Sequence, residues 1–271
     1  MRLTVLGSGS RGNALLVESG EDALLVDAGF SHKDLLKRVA AAGRHAARVR
    51  AIVLTHEHGD HARGAARAAA AWRVPVAASP GTLAALGRGF TRGVATVALA
   101  PGRRTALSAF HVTTFPSAHD AAEPVLLVVE DGAGHRLGVA YDVGSPTAGL
   151  RHALRGLDAV VVEANHDEVM LRASGYPPSL RSRIAGRGGH LSNREAGELV
   201  AQCAHAALGL VVLAHLSEQC NRAELALAAV RAALRGTAFA GRIVVAAQDA
   251  PSPVLEVGAA LGQLALPLTL R

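Results

Sequence analysis

Short apolar runs, bounded by gaps that contain Gly and Asn, recur along the first part of the chain. Such runs are typical of buried strands, and they predict strands over residues 3–6, 14–17, 23–26, 50–55 and 74–78. Between the later strands the apolar residues recur every three or four positions, which predicts helices over residues 31–42, 61–72 and 80–86. Ser31 is the predicted N-cap of the first helix, and Gly43 ends it.

The same alternation returns in the second half of the chain. It predicts strands over residues 112–115, 123–130, 136–141, 158–163, 210–214 and 242–246, and helices over residues 192–207 and 221–235. Ser192 and Asn221 are the predicted caps of these two helices. Two strand-rich stretches, each followed by alternating strands and helices and joined without a linker, predict the α/β class. The expected architecture is a four-layer αββα sandwich in a single domain over residues 1–271.

Composition narrows the class of protein. The 271 residues are 50% hydrophobic, which is enough for a large core. Cys203 and Cys220 form no C-x-x-C pair, which argues against a disulfide scaffold or a thiolate zinc site. We find no apolar run of about 18 residues and no signal-peptide layout, so we expect a cytoplasmic protein. The net charge of +6 suits a polyanionic partner such as nucleic acid, although enzymes with neutral substrates are often as basic.

A glycine-rich segment near the N-terminus imitates a dinucleotide-binding motif. Residues 7–12 match G-x-G-x-x-G, but that motif must open a helix, and residues 14–17 have the pattern of a strand. We therefore interpret the segment as a turn between two strands. Its backbone amides would face a phosphate if the turn bordered the active site.

The chemistry of the chain is concentrated after the strand at 50–55. His56, His58, Asp60 and His61 follow one another within six positions of a strand end. Imidazole nitrogen and carboxylate oxygen are ligands that Zn²⁺ and related divalent ions prefer. Side chains on a strand-to-helix turn point in different directions, so this one turn is able to serve two metal ions.

Further ligand-type residues follow other predicted strands. His119, Asp142 and His215 each come after an apolar run, and each alone has an ordinary interpretation as a turn or loop residue. Strand ends at one edge of a sheet are where sites are usually built. Together these residues complete two coordination spheres. Asp27, at the end of the third strand, either caps the next helix or orients a metal ligand, and with the later motifs we favour the second role.

In this order the motifs resemble the metallo-β-lactamase superfamily. The resemblance implies two divalent metal ions, Zn²⁺ or Mn²⁺, since His and Asp sets accept both. The implied ligand sets are His56, His58 and His119 for one ion and Asp60, His61 and His215 for the other. The resemblance also implies that Asp142 bridges the ions and that Asp27 orients a ligand.

Within the superfamily the chain looks most like the YycJ (WalJ) family of DNA exonucleases, which implies 5′ to 3′ degradation of DNA. The segments that carry this resemblance are residues 55–58, 163–167, 188–193 and 214–218. Glu163 with His190 and Ser192 also resembles the signature of RNase Z. The chain departs from the family at Cys220, where an Asn is common, and this leaves the role of that loop open. The segment between Asp142 and His215 is too short for an inserted clamp domain.

We expect three of the site residues to act in catalysis. Asp60 would orient the nucleophilic water, and His190 would protonate the leaving oxygen while Glu163 fixes its tautomer and raises its pKa. His166, Ser192, Asn193 and Arg183 are possible substrate contacts. Each has an ordinary alternative: a helix cap for Ser192 and its neighbours, a bond within the local turn for His166 and a solvated basic helix face for Arg183.

Three classes of function fit these patterns. The leading hypothesis is a binuclear-metal phosphodiesterase that acts on nucleic acid. A small-molecule hydrolase, such as a thioesterase, lactonase or cyclic phosphodiesterase, is the first alternative, and Glu163, His190 and the basic charge count against it. A DNA-binding or scaffold protein with an inactive site is the second alternative, which the intact ligand set disfavours.

Overall fold

The computed structural model describes residues 1–258 and contains two seven-stranded sheets. The first sheet has the strand order β14-β1-β2-β3-β4-β5-β6. Its strands are β1 Arg2–Gly7, β2 Ala14–Ser19, β3 Asp22–Val26, β4 Val49–Val53, β5 Val76–Ala78, β6 Thr96–Ala98 and β14 Leu255–Glu256. Strands β3 to β6 are parallel, whereas β1 pairs antiparallel with both β2 and β14.

The second sheet has the mirror-like order β13-β12-β11-β10-β9-β8-β7. Its strands are β7 Arg104–Leu107, β8 Phe110–Pro116, β9 Val125–Asp131, β10 Arg136–Ala140, β11 Ala159–Glu163, β12 Leu210–Ala214 and β13 Arg242–Val245. Strands β10 to β13 are parallel, and β7 to β10 form antiparallel pairs.

Helices cover the outer face of each sheet. The helices of the first half are α1 His32–Ala41, α2 Gly59–Ala62, α3 Ala65–Trp72 and α4 Pro80–Thr91. Those of the second half are α5 Ala148–Ala153, α6 Glu168–Ala173, α7 Pro178–Ile184, α8 Asn193–Cys203 and α9 Ala223–Leu234. In residues 1–258, no helix is both long and apolar enough to span a bilayer.

Three hydrophobic clusters fill the three spaces between the four layers. The central cluster lies between the sheets and contains Leu15 and Val161, whereas Leu16 and Val160 point outward into clusters beneath the helices. Successive side chains of a strand face opposite sides of its sheet, so strands buried on both faces are apolar at nearly every position. This is why the sequence shows continuous apolar runs, and the predicted four-layer αββα sandwich is confirmed.

Most predicted elements are present, but strands β6, β7 and β14 were not predicted individually, and several helices differ from the prediction. The helix predicted over residues 61–72 is two helices, α2 and α3, separated near Gly64. The helix predicted over residues 80–86 continues to Thr91 past a kink at Gly87, whose φ is +73°. Helices α5, α6 and α7 were not predicted, because six or seven residues are too few to show a helical period. Residues 259–271 of the predicted domain lie outside the described part of the chain.

The predicted cap of the last helix is wrong. Helix α9 begins at Ala223, and its N-cap is Arg222, which makes no side-chain capping bond. The side chain of Asn221 is instead buried, and its Nδ2 donates to the carbonyl of Ala164 and to Oδ1 of Asn193. Tertiary partners thus compete successfully for a side chain that is suited to capping by its type alone.

Candidate metal centre

The candidate ligands lie on loops that follow β4, β8, β10 and β12. The carboxyl ends of the parallel strands in each sheet meet at one edge, and the two sheets place these edges side by side. His56 to His61 occupy the turn into α2, whereas His119, Asp142 and His215 follow strands of the second sheet. The centre is therefore built from both sheets.

The backbone is strained where the strands end. Asp27, Asp142 and His215 adopt φ values of +58°, +48° and +53°, in the left-handed region that non-glycine residues rarely occupy. Such a conformation costs of order 1–3 kcal/mol and persists when the surrounding structure fixes it. Here it turns each side chain towards the centre instead of along the strand.

One grouping contains three histidines and an aspartate: His56, His58, His119 and Asp142. Nδ1 of His58 lies 3.3 Å from Nε2 of His119, and Nε2 of His56 lies 3.1 Å from Oδ2 of Asp142. The imidazole rings of His56 and His58 meet edge to face, with centroids 4.6 Å apart. One potential ligand atom from each residue converges on a common point.

A second grouping shares the aspartate: Asp60, His61, Asp142 and His215. Nε2 of His61 lies 3.0 Å from Oδ2 of Asp142, and Nδ1 of His215 lies 2.9 Å from Oδ1. Oδ2 of Asp60 is within 3.4 Å of Nε2 of both histidines. Asp142 is thus common to the two groupings.

Two buried atoms test whether this donor set fits a cation. Nε2 of His56 and Oδ1 of Asp142 are inaccessible to solvent and make no hydrogen bond among the described residues. Their nearest opposite partners are within about 3 Å but lack hydrogen-bond geometry. A buried polar atom without a partner costs free energy. Histidine nitrogens and carboxylate oxygens that point at a shared centre instead of at one another fit a divalent metal ion.

Asp27 holds one of the candidate ligands in place. Its Oδ2 lies 2.7 Å from Nδ1 of His61, and its Oδ1 accepts a 2.9 Å hydrogen bond from the backbone amide of Thr55. The carboxylate is fully buried, and Ser31 is the N-cap of α1. The structure therefore gives Asp27 contacts that orient a ligand and no capping bond.

Charge in the centre is balanced between carboxylates and imidazoles. Burial opposes ionisation of Asp142, but the cationic forms of His215 and His61 outweigh it and hold its pKa well below the ordinary value. Burial lowers the pKa of both His56 and His119. These two imidazoles are therefore neutral at pH 7, the form that a metal ligand must take.

Glu163 and His190 form a pair at the mouth of the centre. The fully buried carboxylate accepts 2.8 Å hydrogen bonds from the amides of Val143 and Leu191, and its Oε2 lies 3.0 Å from Nδ1 of His190. Burial disfavours the imidazolium, but the charges of Glu163 and Asp142 outweigh it and raise the pKa of His190 to about 9. The side chain of His190 keeps 20% of its surface exposed, so its ring reaches solvent while its orientation is fixed.

The four possible substrate contacts separate into two groups. Arg183 lines a pocket of about 200 Å³ together with Ser10, His58, Asp60, His119, Asp142, His190 and His215. Its guanidinium is paired with Asp120 at 2.6 Å. By contrast, His166, Ser192 and Asn193 are buried and do not line this pocket. Ser192 caps α8 in a capping box with Glu195, and Asn193 exchanges two 2.8 Å hydrogen bonds with Asn221.

The glycine-rich turn contributes residues that sequence analysis did not assign. Oδ1 of Asn13 accepts from Ser8, and its Nδ2 lies 3.2 Å from Nε2 of His61. The hydroxyl of Ser8 accepts a 2.8 Å bond from the backbone amide of His215. The turn therefore braces both histidines of the second grouping. A glycine-rich segment before a strand was the available signal, but without the fold nothing placed it beside the histidines.

Comparison with known proteins assigns the family. A family model described as the beta-lactamase superfamily domain matches residues 23–216. This chain belongs to the metallo-β-lactamase superfamily. It is 33% identical over 241 residues to exodeoxyribonuclease YycJ of Bacillus anthracis, and the match covers 88% of this chain and 91% of the relative. It is 29% identical over 230 residues to exodeoxyribonuclease WalJ of Streptococcus pneumoniae, and the match covers 83% of this chain and 85% of the relative.

The solved structures agree on the fold. The crystal structure of Zn²⁺-bound PqqB from Methylobacterium extorquens has a TM-score of 0.71 and 19% identity, and the match covers 95% of this chain and 100% of PqqB. At this identity the likeness concerns the fold alone. Family membership, the exonuclease-named relatives and the His and Asp groupings make this superfamily member a metal-dependent hydrolase.

Proposed function

We propose that this protein is a binuclear-metal phosphodiesterase that degrades DNA from one end, in the 5′ to 3′ direction. The observation that carries the proposal is the pair of His and Asp groupings that share Asp142, with His190 and Glu163 at their mouth. Two relatives that match most of the chain are named exodeoxyribonucleases, which favours DNA as the substrate. The ions would be Zn²⁺ or Mn²⁺, because the donor set suits both.

The proposed ligand sets follow the two groupings. One ion would be held by His56, His58 and His119, the other by Asp60, His61 and His215, and Asp142 would serve both. Divalent ions in such a site act as Lewis acids on a phosphoryl oxygen and supply a nucleophile from water at neutral pH.

The protein's own groups would complete the reaction. Asp60 borders the pocket, and its Oδ2 lies 3.3 Å from Nε2 of His215, so this carboxylate would accept a hydrogen bond from the attacking water and orient it. His190 would donate a proton to the leaving oxygen, because its ring is partly exposed and carries a proton at neutral pH. Glu163 would hold the imidazole through Nδ1, which leaves Nε2 free to face the substrate.

A small-molecule hydrolase on the same scaffold is the second candidate. The pocket of about 200 Å³ favours it, since a pocket of this size admits a small ester or cyclic phosphodiester. We also propose that the chain is a single domain without an inserted clamp. A nucleic acid would then have to be held by the core face and its loops.

One preparation of the purified protein tests the proposal. Bound metal is quantified, and the protein is incubated with Mn²⁺ or Zn²⁺ and with single- and double-stranded DNA and RNA labelled at either end. We expect metal-dependent loss of nucleotides from the 5′ end of DNA. Asp142→Ala should lose both activity and metal, whereas His152→Ala, which replaces an exposed histidine on α5, should lose neither. Two bound metal ions with intact nucleic acid would favour the small-molecule hydrolase.

A further inference from the structure

A second concave surface lies beside the metal centre. It is an open groove of about 540 Å³ between the start of α1 and the segment that joins α2 to α3. Its lining residues are Ser31, His32, Lys33, Arg63, Gly64 and Arg67. We refer to these six residues as the basic groove.

The basic groove carries three cations without carboxylate partners. Lys33, Arg63 and Arg67 are exposed, and within residues 1–258 none of them lies within ion-pair distance of a carboxylate. The nearby carboxylate of Asp34 accepts a 2.6 Å hydrogen bond from the hydroxyl of Ser31. Arginines elsewhere on the rim differ, since Arg183 is paired with Asp120. Positive charge that is left unpaired in a concave surface attracts anions.

The groove borders the turn that carries two of the candidate ligands. Arg63 follows Asp60 by three residues, and its Nη2 is 4.0 Å from where a Cβ would lie at Gly59. The guanidinium therefore lies over the turn that carries His58 and Asp60. Arg67 follows Arg63 by four residues and lies in the first turn of α3, beyond the break near Gly64. Both arginines therefore line a groove whose wall continues from the turn that carries the candidate ligands.

Close backbone contact fixes the two walls of the groove against each other. The amide of Gly64 donates a 2.8 Å hydrogen bond to the carbonyl of Ala28, and any side chain at residue 64 would collide with the carbonyl of Phe30. Gly29 packs in the same way against the backbone of Asp60. Lys33 therefore lies on α1, and Arg63 and Arg67 lie at the end of α2 and on α3. The backbone contacts that fix these elements against each other also position the turn that carries the candidate ligands.

His32 packs the start of α1 against α3. The ring of His32 packs edge-on against Trp72, with centroids 5.7 Å apart. Its Nε2 is inaccessible to solvent and has no hydrogen-bond partner in the described part of the chain. The start of α1 adds the positive end of a helix dipole, and the amide of Asp34 is bonded to the hydroxyl of Ser31.

We propose that the basic groove binds the sugar–phosphate backbone of the nucleic acid strand beyond the phosphate that is cleaved. This inference rests on the proposed function. It names the surface that would make a polynucleotide bind more tightly than a small ester. Arg63 would contact the phosphate nearest the scissile one, and Arg67 and Lys33 would contact phosphates further along the strand. Contacts to phosphates carry no base information, so binding here is independent of sequence.

The test measures binding separately from catalysis. A fluorescent 20-nucleotide single strand of DNA is titrated with the metal-loaded full chain carrying His190→Ala, at several salt concentrations between 50 and 200 mM. The same titration is made after adding Arg63→Gln and Arg67→Gln together. Each phosphate contact contributes about 0.7 to the slope of log affinity against log salt for single strands. We therefore expect the double substitution to lower this slope by about 1.4.

A matched control has the same charge change elsewhere. Arg231→Gln with Arg235→Gln also removes two exposed positive charges, at the end of α9. Strand β13 is parallel to β12, so this end of α9 lies at the opposite edge of the sheet from the metal centre. In the His190→Ala background, the control should keep the salt slope and the affinity of the parent protein.

Three results would overturn the inference. These are an unchanged slope in the groove variant, an equal loss in the control, and a strand that does not bind the parent protein. Hydrolysis of end-labelled DNA by the protein with His190 intact is measured in parallel. If the strand binds through the groove but is not hydrolysed, the proposed function is rejected and the groove remains a binding surface. If the groove variant hydrolyses DNA with the wild-type KM, the proposed function stands and the binding role of the groove is rejected.

Discussion

At the scale of single residues, Asp142 has more contacts in the centre than any other candidate ligand named above. Its carboxylate lies within 4 Å of a ring nitrogen of His56, His61, His119, His190 and His215. Its positive φ shows that the backbone is held in an unfavourable conformation to achieve this. In the sequence it is one aspartate after one strand, and only its resemblance to a family motif distinguished it from a turn residue.

Replacement of His190 by alanine should separate metal binding from turnover. The ring contacts Glu163 and Asp142, yet it lies outside both of the proposed ligand sets. We expect His190→Ala to retain the metal ions and to lose roughly 10²–10⁴ in kcat, the usual contribution of a positioned proton donor. Metal content and kcat on end-labelled DNA are measured on the same sample. Loss of metal with activity restored by added ions would show that His190 is a ligand instead.

At the scale of elements, α8 connects His190, the proposed proton donor, to the core. Its N-cap Ser192 follows His190 by two residues, and the capping box with Glu195 satisfies amides at the start of the helix. The other face of α8 packs on the second sheet through Leu199 and Val200. The position of His190 is therefore determined by a helix start as well as by Glu163.

Loss of this cap should cost stability and leave substrate binding unchanged. Ser192→Ala removes the hydroxyl that accepts from the amide of Glu195, and such losses cost roughly 0.5–2 kcal/mol. Urea unfolding measures the change, and Ser192→Thr serves as a control that keeps the hydroxyl. If KM for DNA rose at unchanged stability, Ser192 would be a substrate contact, as the sequence first suggested.

The hairpin between β9 and β10 should respond to acid. Burial opposes ionisation of Asp131, but bonds from the ring and the amide of His135 and from the hydroxyl of Ser19 outweigh it and lower its pKa. The unfolded chain then binds this proton at higher pH than the folded one. The stability that Asp131 contributes is therefore present above about pH 4 and lost as the pH falls through its folded pKa.

Asp131→Asn tests this dependence. We expect the variant to be less stable at pH 7 by roughly 1.5–3 kcal/mol, the range for a hydrogen bond to a charged group. Its stability should also fall less steeply than that of the parent protein below pH 4. Urea unfolding between pH 3 and 7 gives both quantities. Parallel stability curves for the two proteins would contradict the assignment.

At the scale of the whole molecule, the metal centre joins the two sheets. Four candidate ligands follow β4 of the first sheet, and three follow strands of the second. Ions held by both sets would cross-link the layers at one edge, where the hydrophobic contacts between the sheets end. Binding to the folded state alone stabilises it by mass action.

Removal of metal should therefore lower the thermal midpoint. At a free ion concentration of about 100 times Kd the stabilisation is about 2.7 kcal/mol. For a chain of this size that corresponds to roughly 5–10 °C. Calorimetry with and without a chelator measures the shift. Asp142→Ala should show no shift, and an equal shift in that variant would place the stabilising ions elsewhere.

Much of the fold was predictable from the sequence because its strands are buried on both faces. A continuous apolar run of five residues, such as 210–214, has the length of a buried strand and is too short for a typical helix, and β12 has the predicted bounds. Helices α6 and α7 were missed because six or seven residues are too few to show a helical period. Asn221 was misassigned because its buried partners, Ala164 and Asn193, are distant in sequence.

The sequence by itself determined the type and order of the elements and the identity of the candidate ligands, since both depend on local pattern and residue chemistry. Tertiary structure decided which side chains meet. It placed the glycine-rich turn behind His61 and His215, buried Cys220 and removed Ser192 and Asn193 from the pocket lining. It also set Arg63, Arg67 and Lys33 along one groove. These outcomes depend on how two sheets pack, and packing brings together residues that no sequence period relates.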